Sequence, residues 1–433
     1  SRFTFSPLCY AYWATNNQKY AREYTDLITD WIKDNLRPII TIDEKFACKI
    51  MLLYTPYLCG WTSLNTGERL TNWSLAQNYL IDSPSWNVDF NSQFLRSLFE
   101  QADWLYTFQL QRMRVWGSYG GNWQVVECGG LLSASIMFPE FKMSLQWRDK
   151  AIEILYDKLQ HEVYADGGHI ELNFGYHSWV LSKMLDALVL AKDNNISLPA
   201  GFSEKVEAML EYYVKTRMPD GGWPFRADGG PLRQKGGSGQ LLCGAAIFGR
   251  PDFKYFASEP DANVILYIGL NGYEKVLKLK GEKPGYTSVI LPGSQQMIMR
   301  TGWGPEDKYM FFDCAPWCSG HCHNDRLNID VAADGEQLIV DSGMPFYDYA
   351  NHTDFMRTRS HNVIMVDGQE HPKGENPEIS RFATSANFDF GEGIFRKYAG
   401  VTQVRTILFL KPDYWMLVDN ISEQEPGATP KKR

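Results

Sequence analysis

The feature that most constrains the fold of this chain is a change in its hydrophobic pattern near residue 285. Before that point, apolar residues recur at the i, i+3, i+4, i+7 spacing of an amphipathic helix, and turns rich in Gly and Pro separate the segments. After it, the segments are short and rich in β-branched and aromatic residues, as strands are. The pattern predicts a multidomain α+β protein in which helices come first and a stack of antiparallel sheets follows.

The helical half contains many helices of moderate length but no exact sequence repeat. This combination favours a helical toroid or solenoid, although the inference depends on the number of helices and not on a sequence period. The segments with the clearest helical spacing are residues 24–32, 46–58, 94–110, 151–159, 181–188 and 206–213.

The second half contains short strand-like segments with turns between them. Asp334-Gly335 lies between two of these segments and favours a tight hairpin, and Asp367-Gly368 predicts another reversal. We therefore predict a helical domain over residues 1–284 and a sandwich-type sheet domain over residues 285–433, which we expect to be incomplete at its C-terminal end. The predicted strands are residues 309–313, 327–331, 337–340, 362–367, 402–410 and 414–418.

Length, charge and composition exclude several classes of protein. A chain of 433 residues with 44% hydrophobic and 22% charged residues is an ordered globular protein of two or three domains. Its net charge is −8 and it lacks a basic stripe, which argues against a nucleic-acid partner. No stretch of 18 uncharged apolar residues is present, so no membrane span is expected. The eight cysteines are scattered and do not define a disulfide framework.

Three motifs in the strand-like half place histidines and an aspartate between predicted strands. Two imidazoles and a carboxylate that β-pairing brings together can bind a divalent metal ion. His321 and His323 have the same parity, so on a regular strand they would point to one face, which leaves one imidazole for chemistry. Any one of these residues alone is more often an ordinary hydrogen-bonded polar group. The motifs are Gly320-His321-Cys322-His323-Asn324-Asp325, Asp341-Ser342-Gly343 and Ser360-His361-Asn362.

The helical half carries a second cluster of polar residues at two helix starts. A capped helix start explains the glycines and the aspartate of the longer segment. It does not explain two histidines, a tyrosine and a glutamate in the same turn-rich loop. The two segments run from Asn122-Trp123 to Glu127 and from Asp166-Gly167-Gly168-His169 through Glu171 to Tyr176-His177.

Taken together, these motifs resemble those of the heparinase II/III superfamily of polysaccharide lyases, over essentially the whole chain. The resemblance implies an incomplete (α/α) toroid followed by an antiparallel β-sandwich. Each motif is weak alone, but their order and spacing are specific. Besides the histidine motifs, the matching segments are Arg69-Leu70-Thr71-Asn72-Trp73, Gly121-Asn122-Trp123 through Phe138-Pro139-Glu140-Phe141-Lys142, and Asp166-Gly167-Gly168 through Glu171 to Tyr176-His177.

The family pattern also implies roles for individual residues. Asn122 would donate to the substrate carboxylate, Tyr176 would be the acid and also a candidate base, and His321 would be a base or a charge stabiliser. Tyr347 or Tyr349 resembles a further tyrosine of the cleft, and we favour Tyr347. Trp123 stands where some relatives have a histidine, which leaves the identity of the base open. The implied substrate-binding residues are Trp123, Glu127, Glu171, His177 and Arg359, and the implied metal ligands are His323, Asp341 and His361.

The implied reaction is β-elimination from a uronic acid within a polysaccharide. We expect a substrate of the heparan sulfate or heparin type first, and alginate or another uronate polymer second. A uronyl C5-epimerase and a non-catalytic carbohydrate-binding protein are the alternatives. The expected partner is an anionic polysaccharide or oligosaccharide. The expected cofactor is a structural divalent ion, zinc first and calcium second. A periplasmic or secreted location is expected, with any signal removed before Ser1.

Overall fold

A computed structural model of the chain describes residues 6–37, 60–116, 120–229, 237–257, 259–260, 262–317, 321–344 and 352–423. The chain divides into two compact units. The first comprises Ser1–His161 with Ser182–Phe202, and the second comprises Glu162–Leu181 with Ser203–Arg433.

The first unit is helical in its described part. An asparagine caps its second helix, since the side chain of Asn17 accepts a hydrogen bond from the backbone N–H of Lys19 at 3.1 Å. Its core is aromatic. Trp73 packs against Phe94 with ring centroids 5.6 Å apart, and Trp86 lies 4.8 Å from the same phenylalanine. The helices are α1 Ser6–Thr15, α2 Gln18–Asp34, α3 Ser63–Leu80, α4 Val88–Trp116, α5 Gly121–Met137, α6 Ser144–His161, and the later part of α7, which spans Phe174–Asp193.

Two glycines allow α3 and α5 to pack closely within this unit. A Cβ atom on Gly130 would lie 2.0 Å from the carbonyl oxygen of Gly67, and one on Gly67 would lie 2.6 Å from Cα of Glu127. No side chain fits at that spacing, so the backbones of the two helices are in direct contact.

The second unit contains further helices and two antiparallel sheets, in which consecutive strands are neighbours. Its helices are the start of α7, nearly all of α8 Phe202–Thr216, α9 Ser238–Phe248, α10 Pro251–Phe256, α11 Ala262–Lys278 and the short α12 His352–Phe355, with a 3-10 turn at Thr358–Ser360. The first sheet contains β1 Val289–Leu291, β2 Gln296–Arg300, β3 Tyr309–Asp313, β4 Asn328–Ala333 and β5 Glu336–Ile339. The second contains β6 Glu378–Thr384, β7 Phe388–Tyr398, β8 Val401–Leu410 and β9 Tyr414–Glu423.

The two sheets form a sandwich, because one apolar core contains side chains from both. Met297, Met310 and Phe312 contribute from the first sheet, and Phe395 and Phe409 contribute from the second. This core fixes the strand β4 and the segment before it, which carries the histidine motif.

The structure bears out most of the elements expected from the sequence. Each predicted helix in the described ranges lies within an observed helix, whereas residues 46–58 lie outside those ranges. The helical pattern ends with α11 and strands begin at β1. Helices α8 to α11 nevertheless belong to the compact unit that contains the sheets. Asp334-Gly335 forms the expected hairpin, since both residues have positive φ and Ala333 pairs with Glu336.

One predicted strand, residues 362–367, is wrong. Its backbone groups bond to side chains instead of a neighbouring strand. The N–H of Asn362 donates to Asn328 Oδ1 at 2.9 Å, and the N–H of Val366 donates to Tyr398 Oη at 2.9 Å. Four strands, β1, β2, β6 and β7, were not predicted.

Candidate active site

Helix α7 begins at a cap that also determines where Tyr176 lies. The side-chain Oδ1 of Asn173 accepts a hydrogen bond from the backbone N–H of Tyr176 at 3.0 Å. Its Nδ2 donates to the carbonyl oxygen of Arg226 at 2.9 Å. Asn173 therefore connects the first turn of α7 to the loop that contains Arg226.

The phenol ring of Tyr176 lies beside the imidazole of His321. Their ring centroids are 4.3 Å apart, with 30° between the ring planes. Tyr176 is partly buried, and the side chain of His321 is 27% exposed, so both rings have access to solvent. The structure thus brings together two of the residues that were predicted to perform acid–base chemistry.

One carboxylate, that of Asp228, contacts two histidines. Nδ1 of His321 lies 2.7 Å from Oδ2 of Asp228, and Nε2 of His323 lies 3.0 Å from Oδ1. Burial raises the pKa of Asp228, but the hydrogen bonds to the two imidazoles outweigh burial and lower this pKa to about 2. Burial lowers the pKa of His321, whereas the hydrogen bond to Asp228 and the charge of Glu171 raise it, with a net increase.

The loop that contains Asp228 is held on several sides. The guanidinium of Arg226 pairs with the buried carboxylate of Asp313 and lies 3.4 Å from that of Asp325. The carbonyl oxygen of Gly229 accepts a hydrogen bond from the N–H of Met344 at 2.9 Å. Burial lowers the pKa of Arg226, whereas the negative charges of its two aspartate partners raise it. The increase is larger than the decrease, so the side chain is a cation.

The three predicted metal ligands lie close together, although not as a complete coordination sphere. The rings of His323 and His361 are 5.3 Å apart, and Nδ1 of His361 donates to Oδ2 of Asp341 at 2.7 Å. Nδ1 of His323 and Nε2 of His361 are buried, and neither has a hydrogen-bond partner in the described part of the chain. Among the described residues, no group of three His, Cys, Asp or Glu side chains has metal-binding geometry.

These two buried nitrogens still fit a metal ion in donor chemistry, because imidazole nitrogen is a common metal ligand and neither nitrogen has a hydrogen-bond partner in the described part of the chain. Asp341 would supply the carboxylate, and in this structure it accepts hydrogen bonds from His361 and Asn328. The metal assignment therefore stays a prediction.

The loop before α7 places a glutamate near this site. Glu171 is buried, its backbone N–H donates to Nδ1 of His169 at 3.4 Å, and its charge contributes to the raised pKa of His321. Its carboxylate thus acts electrostatically on His321.

Other predicted substrate-binding residues of this unit lie in different surroundings. His177 is only 1% exposed, and its Nε2–H donates to the carbonyl oxygen of Met209 at 3.1 Å, a placement that favours packing over substrate contact. Arg359 is exposed and donates to Asp354 at 3.1 Å. Tyr347 lies outside the described residues.

The remaining predicted residues belong to the first unit. Asn122 is buried in the first turn of α5, and Trp123 next to it is partly exposed. Glu127 is fully buried and accepts hydrogen bonds from Arg112 at 2.6 Å and from Gln109 at 2.7 Å. Glu127 therefore has the contacts of a structural residue within its own unit.

Sequence reasoning missed Asp228, which the structure places at the centre of the histidine cluster. In the sequence, Asp228-Gly229-Gly230-Pro231 indicates only a turn, and the two histidines follow 93 and 95 residues later. An aspartate in a glycine-rich turn is common, so no local pattern distinguishes this one.

Comparison with known proteins identifies the family of this chain. Residues 2–250 match the family described as "Heparinase II/III N-terminus", and residues 285–429 match "Heparinase II/III-like, C-terminal". The chain belongs to the heparinase II/III family, and the expected resemblance is confirmed.

Three similar proteins carry the name heparin-sulfate lyase. The protein from Pedobacter heparinus is 24% identical over 425 residues, which cover 96% of this chain and 58% of the relative. That from Bacteroides stercoris is 24% identical, with 98% and 61% covered. That from Bacteroides thetaiotaomicron is 22% identical, with 96% and 57% covered. The chain thus spans about three fifths of the length of these relatives.

Solved structures show the same fold. A crystal structure of heparinase III aligns with a TM-score of 0.77 and 20% identity, and covers 96% of this chain and 61% of that chain. The heparan sulfate lyase HepC from Pedobacter heparinus, in a mutant form, aligns with a TM-score of 0.72 and 23% identity, and covers 97% and 61%. The fold is an (α/α) toroid followed by an antiparallel β-sandwich, as expected.

Proposed function

We propose that this chain is the catalytic part of a polysaccharide lyase that cleaves a uronic-acid-containing polysaccharide by β-elimination. The observation that carries the proposal is the contact between the phenol of Tyr176 and the imidazole of His321, which is itself bound to a buried carboxylate. Membership of the heparinase II/III family supports the same chemistry. Because the named relatives are heparin-sulfate lyases, heparan sulfate is the first substrate to test, followed by heparin and alginate.

The reaction needs three groups around one sugar. The C–H bond next to the uronate carboxylate breaks, a C=C bond forms, and the glycosidic C–O bond at the next carbon breaks. A base takes the proton, an acid protonates the departing oxygen, and a donor stabilises the enolate.

Tyr176 has the chemistry of the acid, since a phenol can donate its hydroxyl proton to a departing oxygen. His321, next to it, serves as base or as charge stabiliser beside the carboxylate. Asn122 stays the predicted donor to the substrate carboxylate. Its buried position at the start of α5 supports a fixed amide.

We also propose that a structural divalent ion is held by His323, Asp341 and His361, and that zinc is the first candidate. The two buried, unpartnered imidazole nitrogens support this assignment. When bound, the ion would supply positive charge to a cluster of buried carboxylates and fix the segment that carries His321. The chain's own residues perform the proton transfers.

A periplasmic or secreted location is part of the proposal. Cys322 is disulfide-bonded, a state that is typical of proteins in oxidising compartments. Within the described ranges, none of the helices has both the length and the apolar character that a bilayer-spanning segment needs.

The test is cleavage of heparan sulfate, heparin and alginate, followed by the ultraviolet absorbance of the unsaturated uronate product. The wild-type chain should produce this absorbance with at least one polymer. Tyr176→Phe removes only the hydroxyl and should lower kcat by roughly 10²–10⁴-fold, the usual contribution of a general acid or base. Tyr414→Phe is the matched control, because Tyr414 is an exposed tyrosine on β9 and its hydroxyl should not affect turnover.

Three results would contradict the proposal. Full turnover by the Tyr176→Phe variant would exclude this phenol as the proton donor. If no polymer gives unsaturated product but solvent deuterium enters the uronic acid, the protein is an epimerase. Intact polymer without exchange would indicate carbohydrate binding alone.

A further inference from the structure

The carboxylate of Asp228 contacts both His321 and His323. Each carboxylate oxygen has its own imidazole nitrogen, at 2.7 Å and 3.0 Å. An ionised carboxylate can only accept hydrogen bonds, so both of these ring nitrogens carry a hydrogen. The proton in neutral His321 is therefore on Nδ1, and that in neutral His323 is on Nε2.

These tautomers leave one lone pair free on each ring. For His321 it is Nε2, on a ring that lies against Tyr176. For His323 it is Nδ1, which is buried and has no hydrogen-bond partner in the described ranges. A carboxylate also determines the tautomer of His361, because its Nδ1–H donates to Asp341. Its Nε2 is then buried without a hydrogen-bond partner among the described residues. In each pair, a carboxylate selects which nitrogen of its histidine remains available.

The backbone around Asp228 indicates that its position is imposed by the fold. Ala227, directly before it, has φ of 52°, in the left-handed region that residues other than Gly and Asn rarely adopt. Such a conformation persists only where surrounding contacts enforce it, and it is found most often at functional sites. Here the contacts are the ion pairs of Arg226, the bond from Asn173 to the Arg226 carbonyl, and the bond from Met344 to Gly229.

We propose that Asp228 is a positioning residue that fixes the tautomers of His321 and His323 at once, and so couples the imidazole used for chemistry to the imidazole of His323, which would be a ligand of the proposed metal ion. The expected effect of Asp228 on turnover rests on the proposed lyase function. The assignment of the two tautomers does not depend on that function.

Asp228→Asn provides a sharp test because an amide differs from a carboxylate in one respect. Its oxygen can still accept from one N–H, but its NH₂ group needs an acceptor, so it cannot face the N–H of the other ring. One of the two histidines must therefore invert its tautomer or leave the contact.

The measurement is NMR of side-chain imidazole nitrogens in ¹⁵N-histidine-labelled protein, at alkaline pH where the rings are neutral. Signals are assigned with His321→Ala and His323→Ala. In the wild-type protein, His321 should be protonated on Nδ1 and His323 on Nε2. In Asp228→Asn, one of them should change. The control is Asp413→Asn, which removes an exposed carboxylate in the turn between β8 and β9 and should change neither spectrum nor activity.

Activity on heparan sulfate gives a second readout. Asp228→Asn should lower kcat by roughly 10²-fold or more with little change in KM, as expected when a base has the wrong tautomer. Asp228→Glu retains a carboxylate and should keep more of the activity than the amide variant.

The outcomes separate this proposal from the proposed function. His321 protonated on Nε2 in the wild-type protein would overturn the positioning role, as would unchanged tautomers in Asp228→Asn. These results do not depend on turnover. A wild-type protein with the expected tautomers but no activity on any uronate polymer would overturn the lyase proposal and leave the role of Asp228 intact. If Asp228→Asn fails to fold, the wild-type spectrum still decides between the two tautomers.

Discussion

His177 allows the pH dependence of stability to be predicted from one buried ring. Its Nε2–H donates to the carbonyl oxygen of Met209, and its Nδ1 is buried without a hydrogen-bond partner among the described residues. Burial lowers the pKa of His177 from 6.5 to about 4, and the bond to Met209 opposes this decrease only in part. The folded protein therefore keeps the ring neutral at pH values where the unfolded chain protonates it.

The sign and size of the effect follow from this difference in pKa. Between about pH 6.5 and pH 4 the unfolded state binds the additional proton, so the free energy of unfolding falls as the pH is lowered. One pKa unit corresponds to about 1.4 kcal/mol. For His177 alone, the expected loss is about 2 kcal/mol between about pH 7 and pH 5, and about 3 kcal/mol by pH 4.

The variant His177→Gln isolates this contribution, because its amide can still donate to Met209 and does not titrate in this range. Urea unfolding of both proteins, followed by tryptophan fluorescence, gives the free energy of unfolding at each pH. The difference between them should move in favour of the variant by about 2 kcal/mol from pH 7 to pH 5. Other titrating groups, such as His371 with its pKa lowered to about 4, are common to both proteins and cancel.

The matched control is His161→Gln, which removes an exposed histidine at the end of α6 and leaves the buried ring of His177 in place. A stability difference between wild type and His177→Gln that is the same at pH 7 and pH 5 would refute the reasoning. It would mean that the folded protein accommodates the charged ring at no cost.

Three further predictions concern packing, buried charge and metal. Arg112→Met leaves the fully buried carboxylate of Glu127 without its ion-pair partner and should lower the free energy of unfolding by about 3–5 kcal/mol, measured by chemical unfolding. Gly130→Ala places a Cβ atom 2.0 Å from a carbonyl oxygen of α3 and should cost about 1–3 kcal/mol, measured as a lowered Tm. His323→Ala should lower metal content and Tm together. His321→Ala should keep the metal and abolish turnover. Equal metal loss in both purified variants would show that His321 is a ligand.

The sequence predicts those helices, strands and turns whose local sequence pattern matches their environment in the folded protein. The helical spacing over residues 94–110 corresponds to the long α4, which buries Phe94 and Leu98. The Asp334-Gly335 turn forms because both residues adopt the positive φ that a two-residue hairpin requires. In these cases the residues that determine the local conformation are neighbours in sequence, so a sequence window contains the information.

Strand β7 shows why other elements were missed. It contains Gly391 and Gly393, which argue against a strand when only the local sequence is considered. In the structure, a Cβ on Gly391 would lie 2.6 Å from Cε of Met299, and one on Gly393 would lie 2.5 Å from Sγ of Cys314. The glycines are needed because the first sheet packs directly on β7. That contact joins residues about 80–90 positions apart, and no sequence window reveals it.

The residues of the candidate site also fall into two groups, those that a sequence motif identifies and those that only the structure identifies. Tyr176 and His321 belong to motifs with recognisable neighbours, and the resemblance to a family linked them. Asp228 was missed because its significance is its distance to two imidazoles on a distant segment. His177 was predicted as a substrate contact from its motif, but at 1% exposure its surroundings are those of a core residue. A motif shows which residue types are present. The direction in which each side chain points depends on packing, which a motif does not show.

The buried ions around the histidines also bear on what this part of the fold is for. Arg226 is fully buried between Asp313 and Asp325, and removing such ions from water costs several kcal/mol each, which their attraction offsets only in good geometry. An apolar cluster of the same volume would stabilise the sandwich at least as well. The ion pairs fix Arg226, which directly precedes the left-handed Ala227 and lies two residues before the carboxylate that contacts two rings. We infer that the ion cluster contributes more to the position of Asp228 than to stability.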